Sequence, residues 1–251
     1  MNDNNTSKPR FGLIDALRGI ALLNMTAYHF CYDIFQIYGV NTGWIYTTGA
    51  IVWERFICCS FILISGVSMN FSRRAFKRGL IVSACGALMT VATLIVIPEF
   101  AIWFGVLTCI GASMLLLRLL QKPIEHVNPE TGAAAALLVF ILTYSLPNRS
   151  ITFFGLKLFD LPGVLYQNHV TAFFGFPPAG FVSSDYFPLL PWFFLFAFGY
   201  FLWRIIKRLG ADRFFTFKIP PLSFLGRHTL IIYIIHQPVL LGICFLIFGH
   251  F

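Results

Sequence analysis

Long apolar runs separated by short polar connectors dominate the chain. Seven runs stand out, at about residues 14–37, 50–71, 79–97, 101–120, 132–146, 186–206 and 228–249, the fifth being the shortest. A helix needs about 20 apolar residues to cross the hydrocarbon core of a bilayer. The runs are continuous rather than alternating apolar and polar, which excludes a membrane β-barrel. The pattern predicts an all-α, polytopic bundle of about seven transmembrane helices in a single membrane-embedded domain, residues 1–251.

The connectors predict its orientation. With the N-terminus in the cytoplasm, only Arg55, Arg149 and Lys157 of the 18 Lys and Arg residues fall outside or in the outer half. Such an excess of inner cations is the positive-inside pattern. It places residues 1–11 as a cytoplasmic tail and the C-terminus outside. The longest outer connector, 147–185, carries SLPNRS, LPGVLY and GFPPAGF. Pro and Gly break helices, so a lid with short helices is expected there. GADRFFTFKIPPL, between the last two runs, is basic and aromatic and suits the inner membrane surface.

Composition agrees: 58% of residues are hydrophobic and 11% charged, against about one-quarter charged in a soluble domain. The net charge of +8 comes from the inner connectors. No aromatic and basic interleaving suggests single-stranded nucleic acid as a partner; membrane lipid and a small molecule or glycan are the expected ones. Cys31, Cys58, Cys59, Cys85, Cys109 and Cys244 all lie in apolar runs without a C-x-x-C pair, so neither a disulfide framework nor a metal site is expected. No internal repeat of the kind common in secondary transporters is visible.

Ionisable residues within the runs are the candidates for chemistry, because they are costly in hydrocarbon. The first run, RGIALLNMTAYHFCYD, holds Arg18, His29 and Asp33. Eleven positions are close to three helical turns, so Arg18 and His29 share a face about 16 Å apart along the axis. Asp33, four residues beyond His29, is placed to orient the imidazole. Arg73, Arg74, Lys77 and Arg78 follow the second run and suit phosphate, although the positive-inside pattern alone also accounts for them. Arg227 and His228 open the seventh run, and His236 lies about 12 Å deeper beside Pro238, which frees a backbone carbonyl. Ser65-Gly66 and the small residues around Gly111 permit close helix contact. Asp185, before the sixth run, is a candidate for the outer mouth or for a helix cap.

Taken together, LIDALRGIALLNMTAYHFCYD, FILISGVS with its basic sequel, IWFGVLTCIG, DYFPLLPWFFLFAFGY and FLGRHTLIIYIIHQPV resemble the bacterial heparan-alpha-glucosaminide N-acetyltransferase catalytic-domain family. There is also a resemblance to the broader acyltransferase-3-like membrane group, whose first span carries an Arg, ten residues and a His, the spacing of Arg18 and His29. The resemblance covers nearly the whole chain. It implies an acetyltransferase of the cell envelope, in a bacterial cytoplasmic (inner) membrane, that uses cytoplasmic acetyl-CoA and acetylates an extracytoplasmic glycan or amino sugar. His29 would be catalytic base or transient acetyl carrier, with Asp33 beside it. Arg18, Arg73, Arg74, Lys77, Arg78, Arg227 and His228 would bind the CoA. His236, Asp185 and Thr108 would line the site, Thr108 standing where relatives carry a His. A transporter or an inactive scaffold are the competing classes. N- versus O-acetylation and the oligomeric state, a homodimer among the options, stay open.

Overall fold

A computed structural model describes residues 11–249, so nearly all of the expected tail, residues 1–11, lies outside the described residues. The architecture is helical. Among the described residues, five helices are long and apolar enough to cross a membrane: Thr48–Phe71, Ala75–Val96, Pro129–Asn148, Leu189–Arg208 and Thr229–Phe248. The first predicted span forms a 21-residue helix, α1, Gly12–Tyr32. It is long enough, but Asp15, Arg18, Asn24 and His29 keep it out of that set. The fourth predicted span gives α4, Val106–Leu119, which is apolar but only 14 residues long. The connector 147–185, expected outside, departs further from expectation. Besides short helices it contains an antiparallel hairpin, β1 Ser150–Phe153 with β2 Leu156–Asp160, turned through Phe154 and Gly155, both at positive φ.

The chain divides into two compact units, Met1–Ser60 with Ile206–Phe251, and Phe61–Ile205. Within the second unit, small residues set the helix contacts. The Gly66 and Gly199 positions on α2 (Thr48–Ser68) and α8 (Leu189–Arg208) lie against the carbonyls of Phe196 and Leu63, with no room for a Cβ. Asn70 donates to the Tyr200 carbonyl at 3.1 Å. α3, Ala75–Val96, meets α4 in the same way, with Gly86 on Thr108 and Gly111 on Ser83. In lipid, close backbone approach of this kind replaces hydrophobic burial as the source of helix association. α6, Pro129–Thr143, starts where Asn128 accepts the N–H groups of Glu130 and Thr131 and Pro129 takes the first helical position, a standard start signal.

The long connector of this unit is latched. Ser183 Oγ accepts from Trp103 N–H at 2.9 Å, Ser184 Oγ donates to the Phe100 carbonyl at 2.6 Å, and Phe187 N–H donates to the Phe104 carbonyl at 2.9 Å. The Tyr166 hydroxyl donates to the Leu146 carbonyl at 2.6 Å, under the Arg149 guanidinium. Burial pushes that phenol up from its ordinary value, and Arg149 pulls it back.

In the first unit, α9, Pro220–Arg227, lies against the first turns of α1. Gly19 meets the Leu222 carbonyl and Gly226 the Asp15 carbonyl, again with no space for a Cβ, and Ser223 Oγ donates to the Gly12 carbonyl at 3.0 Å. α9 leads into α10, Thr229–Phe248. The preceding turn, Ala211–Thr216, the link after it and α9 leave Phe214, Phe217 and Phe224 exposed, as expected for a segment on a membrane surface.

Candidate active site

Two membrane histidines meet in the first unit. His29, in the last turn of α1, and His236, midway along α10, have ring centroids 4.9 Å apart. α10 starts beside the first turns of α1, where α9 delivers it, and runs in the same direction. Eleven residues of α1 from Arg18 and eight of α10 from His228 cover about 16 and 12 Å, so both helices lead from a cationic end to the histidine pair.

The two imidazoles differ. His29 is half-buried. His236 is buried, and its Nδ1 lies 2.5 Å from the Tyr233 carbonyl. A carbonyl only accepts, so Nδ1 carries the hydrogen and Nε2 holds the lone pair. That Nε2 is buried without a partner.

Beyond His29 the helix widens into a π-helical turn, Asp33–Ile37, in which Tyr38 N–H donates to the Asp33 carbonyl at 2.9 Å. Such turns often occur at functional sites. Asp33 is fully buried, and its Oδ1 accepts from Gln237 Nε2 at 2.6 Å. The expected Asp33–His29 pair is therefore replaced by an Asp33–Gln237 pair. A buried carboxylate needs a donor, and the amide of the facing helix supplies one at short range. Next to His29, Tyr28 packs on Trp44 and Trp53 with centroids 5.3 and 5.5 Å away, and Trp53 Nε1 donates to Asn24 Oδ1 at 3.1 Å.

The remaining expected residues are placed as follows. Arg18 Nη1 pairs with Asp15 Oδ1 at 2.7 Å, beside the Gly226 contact, which brings exposed Arg227 and His228 to the same end of the unit. Arg73, Arg74, Lys77 and Arg78 are exposed around the start of α3. Thr108 lies in the α3–α4 seam. Asp185 Oδ2 accepts from Val106 N–H at 2.9 Å, so it caps the N-terminus of α4, where a negative charge also complements the helix dipole. Gln237 and Gln36 were not singled out from sequence. The available signal was the polar pair His236-Gln237 in an otherwise apolar run, and Gln36 three residues after Asp33. Among the described residues, no three His, Cys, Asp or Glu residues group in a way that suits a metal ion.

The family model for the heparan-alpha-glucosaminide N-acetyltransferase catalytic domain matches residues 10–238. The chain belongs to this family. The match takes in α1, the π-turn and α10 as far as Pro238, and so includes His29, Asp33, His236 and Gln237. Acetyl transfer is the family-level activity, and the five long apolar helices make this member an integral membrane protein. No curated protein and no solved structure matches the chain.

Proposed function

We propose that the chain is a transmembrane acetyltransferase that takes acetyl groups from cytoplasmic acetyl-CoA and passes them to an extracytoplasmic glycan or amino sugar at the His29–His236 pair. The observation that carries this reading is the meeting of those two imidazoles at 4.9 Å, at the far end of two helices that start among cations. The N-terminus is assigned to the cytoplasm, the C-terminus to the outside and the protein to a bacterial inner membrane. α1 and α4 complete seven crossings.

Arg18, Arg227 and His228 at the cationic end, and Arg73, Arg74, Lys77 and Arg78, which the positive-inside pattern assigns to the cytoplasm, suit the polyanionic nucleotide end of acetyl-CoA. A guanidinium matches phosphate with paired donors. The thin acyl arm spans the remaining ~16 Å of α1 rise. At the pair, His29 takes the proton of the acceptor amine or hydroxyl as its lone pair attacks the acetyl carbonyl carbon. The C–S bond breaks and the proton passes to the departing CoA thiolate. In the alternative route a nitrogen of His29 takes the acetyl group first, releasing CoA, and yields it to the acceptor in a second step. His236, with Nδ1–H held by Tyr233, presents Nε2 as a fixed acceptor beside this chemistry.

The test is transfer of radiolabelled acetyl from acetyl-CoA to a panel of envelope sugars by the purified protein and by His29→Ala. Label should reach an acceptor with the wild type and fall to background with the variant. A wild type inert toward the whole panel would reject the proposal, and equal transfer by the variant would remove His29 from the mechanism.

A further inference from the structure

Among the described residues of the first unit, Asp33 Oδ2, Gln36 Oε1, Gln237 Oε1 and His236 Nε2 are buried acceptor atoms without a donor. They lie on two elements that touch. Asp33 and Gln36 are three residues apart in the π-helical turn, His236 and Gln237 are consecutive on α10, and the 2.6 Å bond from Gln237 to Asp33 joins the two elements. Asp33 is fully buried and His236 is 6% exposed, so bulk water does not supply the missing donors. Buried acceptors without partners are costly and uncommon. Here several occur together, around the half-buried His29.

Their chemistry is one-sided. Gln237 spends its NH2 on Asp33, which assigns the other amide atom as a carbonyl oxygen. The Tyr233 bond leaves His236 with a lone pair at Nε2. At these atoms the site therefore offers lone pairs and a carboxylate oxygen. A group carrying several O–H or N–H donors satisfies it. An anionic group meets these lone pairs and the negative charge of Asp33, which oppose it, and loses its own hydration.

We infer that Asp33, Gln36 and Gln237 form the acceptor-binding subsite, gripping two or more O–H or N–H donors of a neutral or cationic sugar beside the histidine pair and rejecting an anionic group at that position. Gln237 is a positioning and specificity residue: Asp33 holds its amide, and its Oε1 meets the sugar. This deepens the acetyl-transfer reading by naming where the acceptor sits, and rests on that reading for the sugar's role as acceptor.

The test is calorimetric titration of the full-length protein in detergent micelles with methyl glucosaminide, its monodeoxy analogues and the matching uronic acid. The glucosaminide should bind saturably, loss of a gripped donor should weaken it about tenfold, and the acid should not compete. Gln237→Leu and Gln36→Leu should each weaken the glucosaminide by a similar factor with acetyl-CoA affinity unchanged. The inference is overturned by absence of saturable glucosaminide binding, by deoxy analogues that all bind as well as the parent, or by variants that keep acetyl-CoA binding and hold the sugar as the wild type does. The deoxy series is read on the unaltered protein and decides whether or not the variants fold. A glucosaminide bound in this manner but never acetylated rejects the transfer reading and leaves the subsite standing.

Discussion

Gln237 donates its side-chain amide to Asp33 Oδ1 at 2.6 Å, across 204 positions of the chain. The bond pins α10 to the π-helical turn that extends α1, and it does so one residue from His236 and one helical turn from His29. The histidine pair is thus held by a polar tie in surroundings that otherwise offer mostly apolar packing.

The histidines are expected to act as a unit. Either His29→Ala or His236→Ala should lower single-turnover acetyl transfer by about 10²-fold or more, with acetyl-CoA affinity intact. Groups that act together are non-additive, so the double variant should lose no more than the worse single one. Multiplying losses would show that the two act separately.

Cations at the predicted cytoplasmic face should govern donor affinity. Neutralising Arg73, Arg74, Lys77 and Arg78 together is expected to weaken acetyl-CoA binding and to flatten its dependence on ionic strength, since exposed charges act through screened attraction. Arg18→Ala should weaken it too. Calorimetry at two salt concentrations checks both; unchanged affinities would reduce these residues to topology signals.

Gly226→Ala tests the α1–α9 contact. The added Cβ meets the Asp15 carbonyl with no space to accept it, and overpacking costs about 1–3 kcal/mol. Thermal unfolding in detergent should show the loss. Gly242→Ala, with nothing near its Cβ position, should leave stability unchanged or raised by up to about 1 kcal/mol.

Asp185 is expected to matter for stability. Asp185→Ala removes the acceptor at the α4 N-terminus, worth about 1 kcal/mol, while Asp185→Asn keeps an oxygen there and should lose less. A melt that ranks the two variants in that order, with unchanged acceptor KM, assigns the residue to capping. A raised KM at full stability would return it to the site.

Arg204 offers a second structural check. Its guanidinium donates to the carbonyls of Ile124, Glu125 and Val127 at 3.1, 3.0 and 3.2 Å, closing the C-terminal end of α5, Gln121–Glu125. Arg204→Lys retains the charge without the planar fork and should cost about 1–2 kcal/mol in the same melt.

Periodicity and composition by themselves determined the helical class, the membrane setting and most span positions, because the cost of exposing backbone polar groups to lipid leaves few ways to fold such runs. The same constraint made Arg18, His29, Asp33 and His236 visible: a charged or basic residue in hydrocarbon stands out in one dimension. Local spacing also predicts one face for Arg18 and His29. Partners were another matter. Asp33 is four residues from His29, a neighbour on any helix, yet its hydrogen bond goes to Gln237, because the π-turn and the facing helix bring a better donor within reach. Asp185 caps a helix that begins 79 residues earlier in the chain, and only the packing of the long connector makes that contact. Helical rise and hydrophobicity are properties of a segment. Which buried donor meets which acceptor is decided only when distant segments pack, and the histidine pair, the Asp33–Gln237 tie and the unpartnered acceptors around them all depend on that step.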